Sequence, residues 1–301
     1  MPLLANETKT CTPHFWFINM GNLGVCKKCG ETKQYPGLAE MPWEQSFIDR
    51  DGKRRANARA RKTKEELKEA HVMSRISKSG IEYLDYQWGV FSGCGNHLGD
   101  RCGGGGREFN CWAKAMAHRY PHIYPDGFKP HYYPEAIDSP KKLRKSWRVG
   151  VGWVGDVIGY GLDYRDPIFD TIMQCPQHKF LFLTKNPDQL ADWAPFPVNA
   201  WVGVSATNQA MYDEAVYYLA SIEASVKFIS IEPYLSEIHF PNYKDVDWLI
   251  LGARTQPYRC PSGESIDKVV QAAKSLGIPL FLKNNLRKGY EIKNWIQEVP
   301  E

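Results

Sequence analysis

Six of the eight cysteines fall into two clusters whose spacings point to metal chemistry. The first reads Cys11-Thr-Pro-His14, then eleven residues, then Cys26-Lys-Lys-Cys29-Gly30. Ligand pairs separated by two residues let a tight turn aim both side chains at one ion. Three thiolates and one imidazole then make a closed tetrahedral zinc site, structural rather than catalytic. His14 sits beside the aromatic run Phe15-Trp16-Phe17, so its plain alternative is a packed histidine. The second cluster is Cys94, Cys102 and Cys111 in "FSGCGNHLGDRCGGGGREFNCWAKAMAHRY", a glycine-rich loop that runs into a helix pattern. Three thiolates suit an iron-sulfur cluster with one iron left open. A zinc site with His97 as fourth ligand and three unliganded thiols are the other two readings of that spacing. Cys175 and Cys260 stand alone and read as buried bystanders.

The chemistry of these clusters depends on compartment. Met1-Pro2-Leu3-Leu4 lacks a basic start followed by an apolar run, and no apolar stretch approaches the roughly 18 to 20 residues of a membrane span. The chain therefore reads as soluble and cytoplasmic, with no membrane association, where clustered thiols bind metal more often than they form disulfides. With 43% hydrophobic and 24% charged residues, the 301-residue chain is globular, which excludes disordered and coiled-coil classes. No Ser/His/Asp arrangement stands out, and Gly103–Gly106 lacks the Lys-Ser/Thr of a phosphate loop.

The net charge of +4 is unevenly spread. Residues 1–80 carry 15 basic and 9 acidic side chains, +6, while residues 81–301 carry 23 and 25, −2. Between Arg50 and Lys78 there are eleven basic residues against four acidic ones, with Arg54, Arg55, Arg59 and Arg61 at the centre. A zinc module followed by a basic segment is a frequent nucleic-acid-binding arrangement, although a solvated basic helix has the same composition.

The elements that must position the second cluster alternate between strand and helix. Short runs rich in β-branched or aromatic residues mark strands over Ile81–Leu84, Val149–Val154, Lys179–Leu183, Ala200–Val204, Lys227–Ile231, Trp248–Leu251 and Pro279–Leu282. Helices are expected over Trp112–Tyr120, Pro167–Cys175, Met211–Ser221 and Ser265–Leu276. In the last of these, Ile266, Val269, Val270, Ala273 and Leu276 make one apolar face. Such alternation predicts a parallel α/β fold, a barrel in preference to an open sheet. Polar residues follow nearly every strand: Gly155-Asp156, Thr184-Lys185-Asn186, Ser205 to Asn208, Glu232-Pro233, Arg254-Thr255 and Lys283-Asn284-Asn285. In a barrel these carboxyl-end positions converge on one mouth. Singly, each has the alternative of a helix cap or turn residue.

Seven segments in order, "IEYLDYQWGVFSGC", "CWAKAMAHRY", "PQHKFLFLTKNPDQL", "AWVGVSATNQAMYDEA", "VKFISIEPYLSEI", "VDWLILGARTQP" and "GIPLFLKNN", resemble a phage-type family of unknown function. Its members have a partial barrel and a three-cysteine loop and are similar to radical S-adenosylmethionine (radical SAM) enzymes. The amino-terminal segment also looks like a zinc knuckle attached to some relatives. The resemblance implies a partial or complete parallel (β/α) TIM-like barrel of the radical SAM type with a small zinc-binding module, divided as 1–40 zinc knuckle, 41–80 basic helical linker and 81–301 barrel. It implies a [4Fe–4S] cluster on Cys94, Cys102 and Cys111 whose open iron binds S-adenosylmethionine. An electron from a donor such as a flavodoxin or ferredoxin would release a 5′-deoxyadenosyl radical that takes hydrogen from a nucleic acid or nucleotide.

The same resemblance places Trp112 beside the adenine, Asp156 near the methionine amine, and Ser205, Asn208 and Glu232 at ribose or substrate. Lys185 and Lys283 then meet a carboxylate or phosphate. Zinc at Cys11, His14, Cys26 and Cys29 is the structural metal of the module. The chain departs from the family where Cys102 and Cys111 are eight residues apart instead of two, with Glu108 at the place of the close cysteine. The other function in view is a non-catalytic, zinc-stabilised nucleic-acid-binding protein on a barrel scaffold. Oligomeric state has no signature in the sequence.

Overall fold

The computed structural model describes residues 75–96, 111–240, 245–291 and 295–301, together with the backbone of three short strands nearer the amino terminus. Two compact units divide the chain at residues 67 and 68. In the first, β1 (Trp16–Ile18), β2 (Leu23–Cys26) and β3 (Thr32–Gln34) form an antiparallel meander, with Trp16 opposite Cys26. Cys11, His14, Cys29, Arg54, Arg55, Arg59 and Arg61 lie outside the described residues, as do His97, Cys102, Gly103–Gly106 and Glu108.

The second unit begins with β4 (Ile76–Lys78), β5 (Tyr86–Trp88) and β6 (Phe91–Gly93), then helix α1 (Trp112–Arg119) and β7 (His131–Tyr132). Next come β8 (Arg148–Val151), β9 (Val154–Gly155), α2 (Val157–Tyr160), α3 (Arg165–Met173), β10 (Lys179–Thr184), α4 (Leu190–Trp193) and β11 (Ala200–Ser205). The chain continues through α5 (Gln209–Ala220), β12 (Val226–Ile231), β13 (Trp248–Leu251), β14 (Arg254–Thr255), β15 (Tyr258–Arg259), α6 (Gly263–Leu276) and β16 (Leu280–Leu282).

The main sheet has eight strands in the order β16-β13-β12-β11-β10-β8-β5-β4; β4 alone is antiparallel. Along the seven parallel strands each newcomer pairs beside its predecessor, which is the singly wound order. The ladder is open: no hydrogen-bonded pairing closes β16 on β5 or β4 among the described residues. The sheet is therefore open and mostly parallel, not a closed barrel. It is nonetheless curled. Six strand spacings of about 4.8 Å would hold β5 and β16 roughly 29 Å apart in a flat sheet. Yet the ring of Tyr83, three residues before β5, lies 5.6 Å from that of Phe281 in β16, and Glu82 accepts from Asn284 N at 2.9 Å.

Strand alternation divides the core between two faces. Phe180, Val202, Ile229, Leu249 and Leu282 point outward beneath the helices, while Leu181, Trp201, Phe228, Trp248, Ile250 and Phe281 fill the concave side with Tyr83 and Leu84. Both faces are apolar because both are covered. The expected strand Ile81–Leu84 is a turn closed by Leu84 N donating to Ile81 O; its apolar residues are spent on the concave core, and the ladder starts instead at Tyr86. The other six expected strands and all four expected helices are present, all but Trp248–Leu251 with shifted ends, Val149–Val154 being split into β8 and β9. Among the described residues, no helix is long and apolar enough to cross a membrane.

At the amino end of β10, His178 is fully buried and Nε2 donates to Pro140 O at 3.3 Å, leaving Nδ1 without a partner. Burial pushes its pKa below the ordinary histidine value, against the backbone hydrogen bonds that favour the charged form. The unfolded chain therefore takes up a proton before the folded one as pH falls below about 6.5. The stability contributed by keeping His178 neutral is full above that pH and is lost on acidification. Urea unfolding measured from neutral to mildly acidic pH is expected to show this loss, and His178→Leu is expected to flatten it.

Candidate functional site

Two strand ends are brought together by a small second sheet in which β6 pairs parallel to β9 and antiparallel to β7. Gly93 and Gly155 are partners in that ladder, and both must be glycine. Gly93 has φ +84° and a Cβ there would meet Lys129 O at 2.0 Å; a Cβ on Gly155 would meet Gly93 O at 2.4 Å. The residues that follow, Cys94 and Asp156, are thereby neighbours, and Asp156 N donates to Gly93 O at 3.1 Å. Cys111 is the residue before α1, so the described ends of the cysteine loop return to the same edge. Cys94 and Cys111 pack with Ala113, Ala117 and Phe128 in one small apolar cluster.

Both thiols open into a cavity of about 480 Å³ at the carboxyl ends of the parallel strands. Trp112, Asp156, Lys185, Ser205, Glu232 and Lys283 line the same cavity. Asn208 does not: its Oδ1 accepts from Met211 N at 3.0 Å and caps α5, the ordinary task of asparagine at that position.

Asp156 is held more tightly than a ligand-binding role requires. Its carboxylate is 5% exposed and accepts four hydrogen bonds: from Gly159 N and Thr184 Oγ1 on one oxygen, from Lys185 N and Asn186 Nδ2 on the other. A carboxylate has about four acceptor sites, so these fill it. Asp156 is thus a positioning residue that fixes Thr184-Lys185-Asn186 at the end of β10.

On the opposite wall, Lys283 Nζ is 2.5 Å from Glu232 Oε1 and 3.9 Å from Glu82 Oε2. Tyr83 lies beneath, 1% exposed, with the Lys283 ammonium 5.8 Å from its ring centroid. Burial, and then the carboxylates of Glu232 and Glu82, push the Tyr83 pKa well above that of an ordinary phenol. The phenol is a neutral hydroxyl at physiological pH. Ser230, two residues before Glu232 on the same face of β12, is 1% exposed; it neighbours the Tyr83 hydroxyl, yet its Oγ has no hydrogen-bond partner of acceptable geometry.

The sequence reading missed Tyr83, Gln87 and Ser230 as cavity residues. Ser230 was available from the two-residue period ending at Glu232. Tyr83 was hidden in a segment read as strand.

Two of the three thiols that an iron-sulfur cluster on this loop would need, Cys94 and Cys111, line the cavity. Cys94 is 9% exposed, apolar neighbours surround it, and Asn96 N donates to its Sγ at 3.3 Å, the kind of hydrogen bond that tunes cluster sulfur. Among the described residues, no group of three or more His, Cys, Asp or Glu side chains is placed to hold a metal ion. Cys102, the third thiol of the loop, is outside them.

A family model described as a protein of unknown function matches residues 78–291. No curated protein and no solved structure matches the chain. The matched stretch is more than half of the 301 residues and contains all seven parallel strands and both described thiols of the loop. The chain therefore belongs to this family, DUF5131.

Proposed function

We propose that the protein is a radical SAM iron-sulfur enzyme acting on a nucleic acid or nucleotide, with its cluster on Cys94, Cys102 and Cys111. The observation that carries this reading is that Cys94 and Cys111 open into one cavity with polar residues from the ends of five parallel strands and β9. The bound cluster would pass an electron, received from a flavodoxin- or ferredoxin-type donor, to the sulfonium of S-adenosylmethionine and so cleave it. The chain's own side chains supply the rest. Trp112, 47% exposed, offers an indole face to a flat ring beside Cys111. Ser205, at the end of β11, offers a hydroxyl to a sugar or base. The Glu232–Lys283 pair offers an acceptor and a donor side by side. The amino-terminal unit holds a structural zinc on Cys11, His14, Cys26 and Cys29, and the basic segment around Arg54 to Arg61 attracts the polyanion.

Anaerobic reconstitution with iron and sulfide tests this. About four irons and as many labile sulfides per chain are expected, with absorbance near ~400 nm. A Cys94→Ser, Cys111→Ser variant is expected to lose them and to keep its zinc. Protein that takes up only zinc and no labile sulfide would show the proposal to be wrong.

A further inference from the structure

We propose that the ledge formed by the β14–β15 hairpin and the turn after β16 binds the phosphates of a single-stranded nucleic acid and leads it to the cavity. The inference deepens the reading above by naming the substrate class and a binding site for it. Besides Lys283, which is paired with Glu232, residues 252–263 and 279–290 carry four basic side chains, Arg254, Arg259, Arg287 and Lys288, and no acidic one; Glu264 and Glu291 follow at their ends. The two segments are one surface: Tyr258 Oη donates to Asn285 O at 3.2 Å, and Cys260 Sγ contacts Leu286 O at 3.7 Å. Arg259, Arg287 and Lys288 are exposed.

Three features favour a polyanion over an idle charged rim. Arg254 and Arg259 stand directly opposite each other across the two-residue ladder, which sets two cationic side chains on one face of the hairpin, with Arg254 Nε also donating to Pro257 O at 2.9 Å. The cations are interleaved with aromatics: the Arg287 guanidinium lies 4.1 Å from the Trp295 ring centroid, and the Lys288 ammonium 5.3 Å from that of Tyr258. Finally, Arg254, Thr255 and Gln256 line the cavity, so the ledge runs into it without a break. Exposed Tyr258 and Trp112 are platforms for unpaired bases, and about 480 Å³ admits one base out of its stack; a duplex offers neither.

The test uses the full chain as purified, without iron, reductant or S-adenosylmethionine, so its failure leaves the enzyme reading standing and the converse also holds. Binding of oligo(dT) and oligo(rU) is measured against salt for the wild type and two charge-matched variants. One is Arg259→Gln/Arg287→Gln/Lys288→Gln. The other is Lys142→Gln/Arg144→Gln/Lys145→Gln, at the amino ends of the strands just before β8. The ledge variant is expected to bind at least several-fold more weakly, with its log–log salt slope smaller by about two, since each phosphate contact to a single strand contributes about 0.7. The control variant is expected to keep the wild-type slope. An oligonucleotide bearing a photoreactive thiobase is expected to crosslink to peptides containing Tyr258 or Trp295. Equal losses in the two variants, crosslinks confined to residues 1–80, or equally tight binding of mononucleotide or poly-glutamate would overturn the proposal.

Discussion

Asp156→Ala is expected to destabilise the second unit by roughly 3 kcal/mol, read as a lowered urea or thermal midpoint. The carboxylate satisfies four donors from three segments: the first turn of α2, the end of β10 and the residues just beyond it. Hydrogen bonds to a charged group contribute about 1.5–3 kcal/mol each. The net loss falls below their sum because the site borders the cavity and water replaces part of what alanine removes. Asp156→Asn is expected to lie between, since one amide oxygen can still accept while its NH2 faces the Asn186 NH2. The effect reaches function through position. Asp156 holds the backbone of Lys185, and Lys185 lines the cavity, so the variant that still folds is expected to lose reaction rate with little change in iron content. A loss of iron equal to that of the cysteine variants would instead make Asp156 part of the cluster site.

Trp248→Ala is expected to cost about 3–5 kcal/mol, the range for deleting a large buried aromatic side chain. Trp248 is fully buried at the centre of the concave face, with ring centroids of Phe228, Tyr83, Trp201 and Phe281 between 5.5 and 6.2 Å away. Its Nε1 also donates to Glu298 O at 2.9 Å, which ties the carboxyl-terminal segment to β13. The rings it touches include Tyr83 and Phe281, the pair that brings the approach to β5 against β16. Removing the indole is therefore expected to loosen the curl as well as the core. Trp248→Phe keeps much of the packing but not the Glu298 bond and is expected to cost clearly less. A loss under about 1 kcal/mol for Trp248→Ala would mean that the sheet keeps its curvature without this cluster.

The parallel strands were legible because burial on both faces leaves continuous apolar runs, and the wide helices because Ile266, Val269 and Ala273 recur at helical spacing. Trp248–Leu251 has the same bounds in sequence and structure. What could not be read is what tertiary contacts decide. Ile81–Leu84 has strand composition, yet Tyr83 and Leu84 are drawn into the concave core and the segment turns. The hairpin "RTQPYR" has no alternating apolar pattern, because both of its two-residue strands lie largely at the surface.

The same division holds in the site. That polar strand ends meet at one mouth follows from parallel topology, and it brings Asp156, Lys185, Ser205, Glu232 and Lys283 together. What each does there depends on partners the sequence does not display. Asn208 reaches back to Met211 N, and Asp156 is consumed by four internal donors. The neutral state of Tyr83 requires both its burial and the two carboxylates that the curl brings beside it.

The proposed radical SAM chemistry of this cavity is tested most directly by reductive cleavage of S-adenosylmethionine. Reconstituted wild-type protein, reduced under anaerobic conditions, is expected to convert S-adenosylmethionine to 5′-deoxyadenosine and methionine, while Cys94→Ser and Cys111→Ser variants form none above background. A wild-type protein with a full complement of iron and sulfide that forms no 5′-deoxyadenosine, or cysteine variants that form as much as the wild type, would contradict the account.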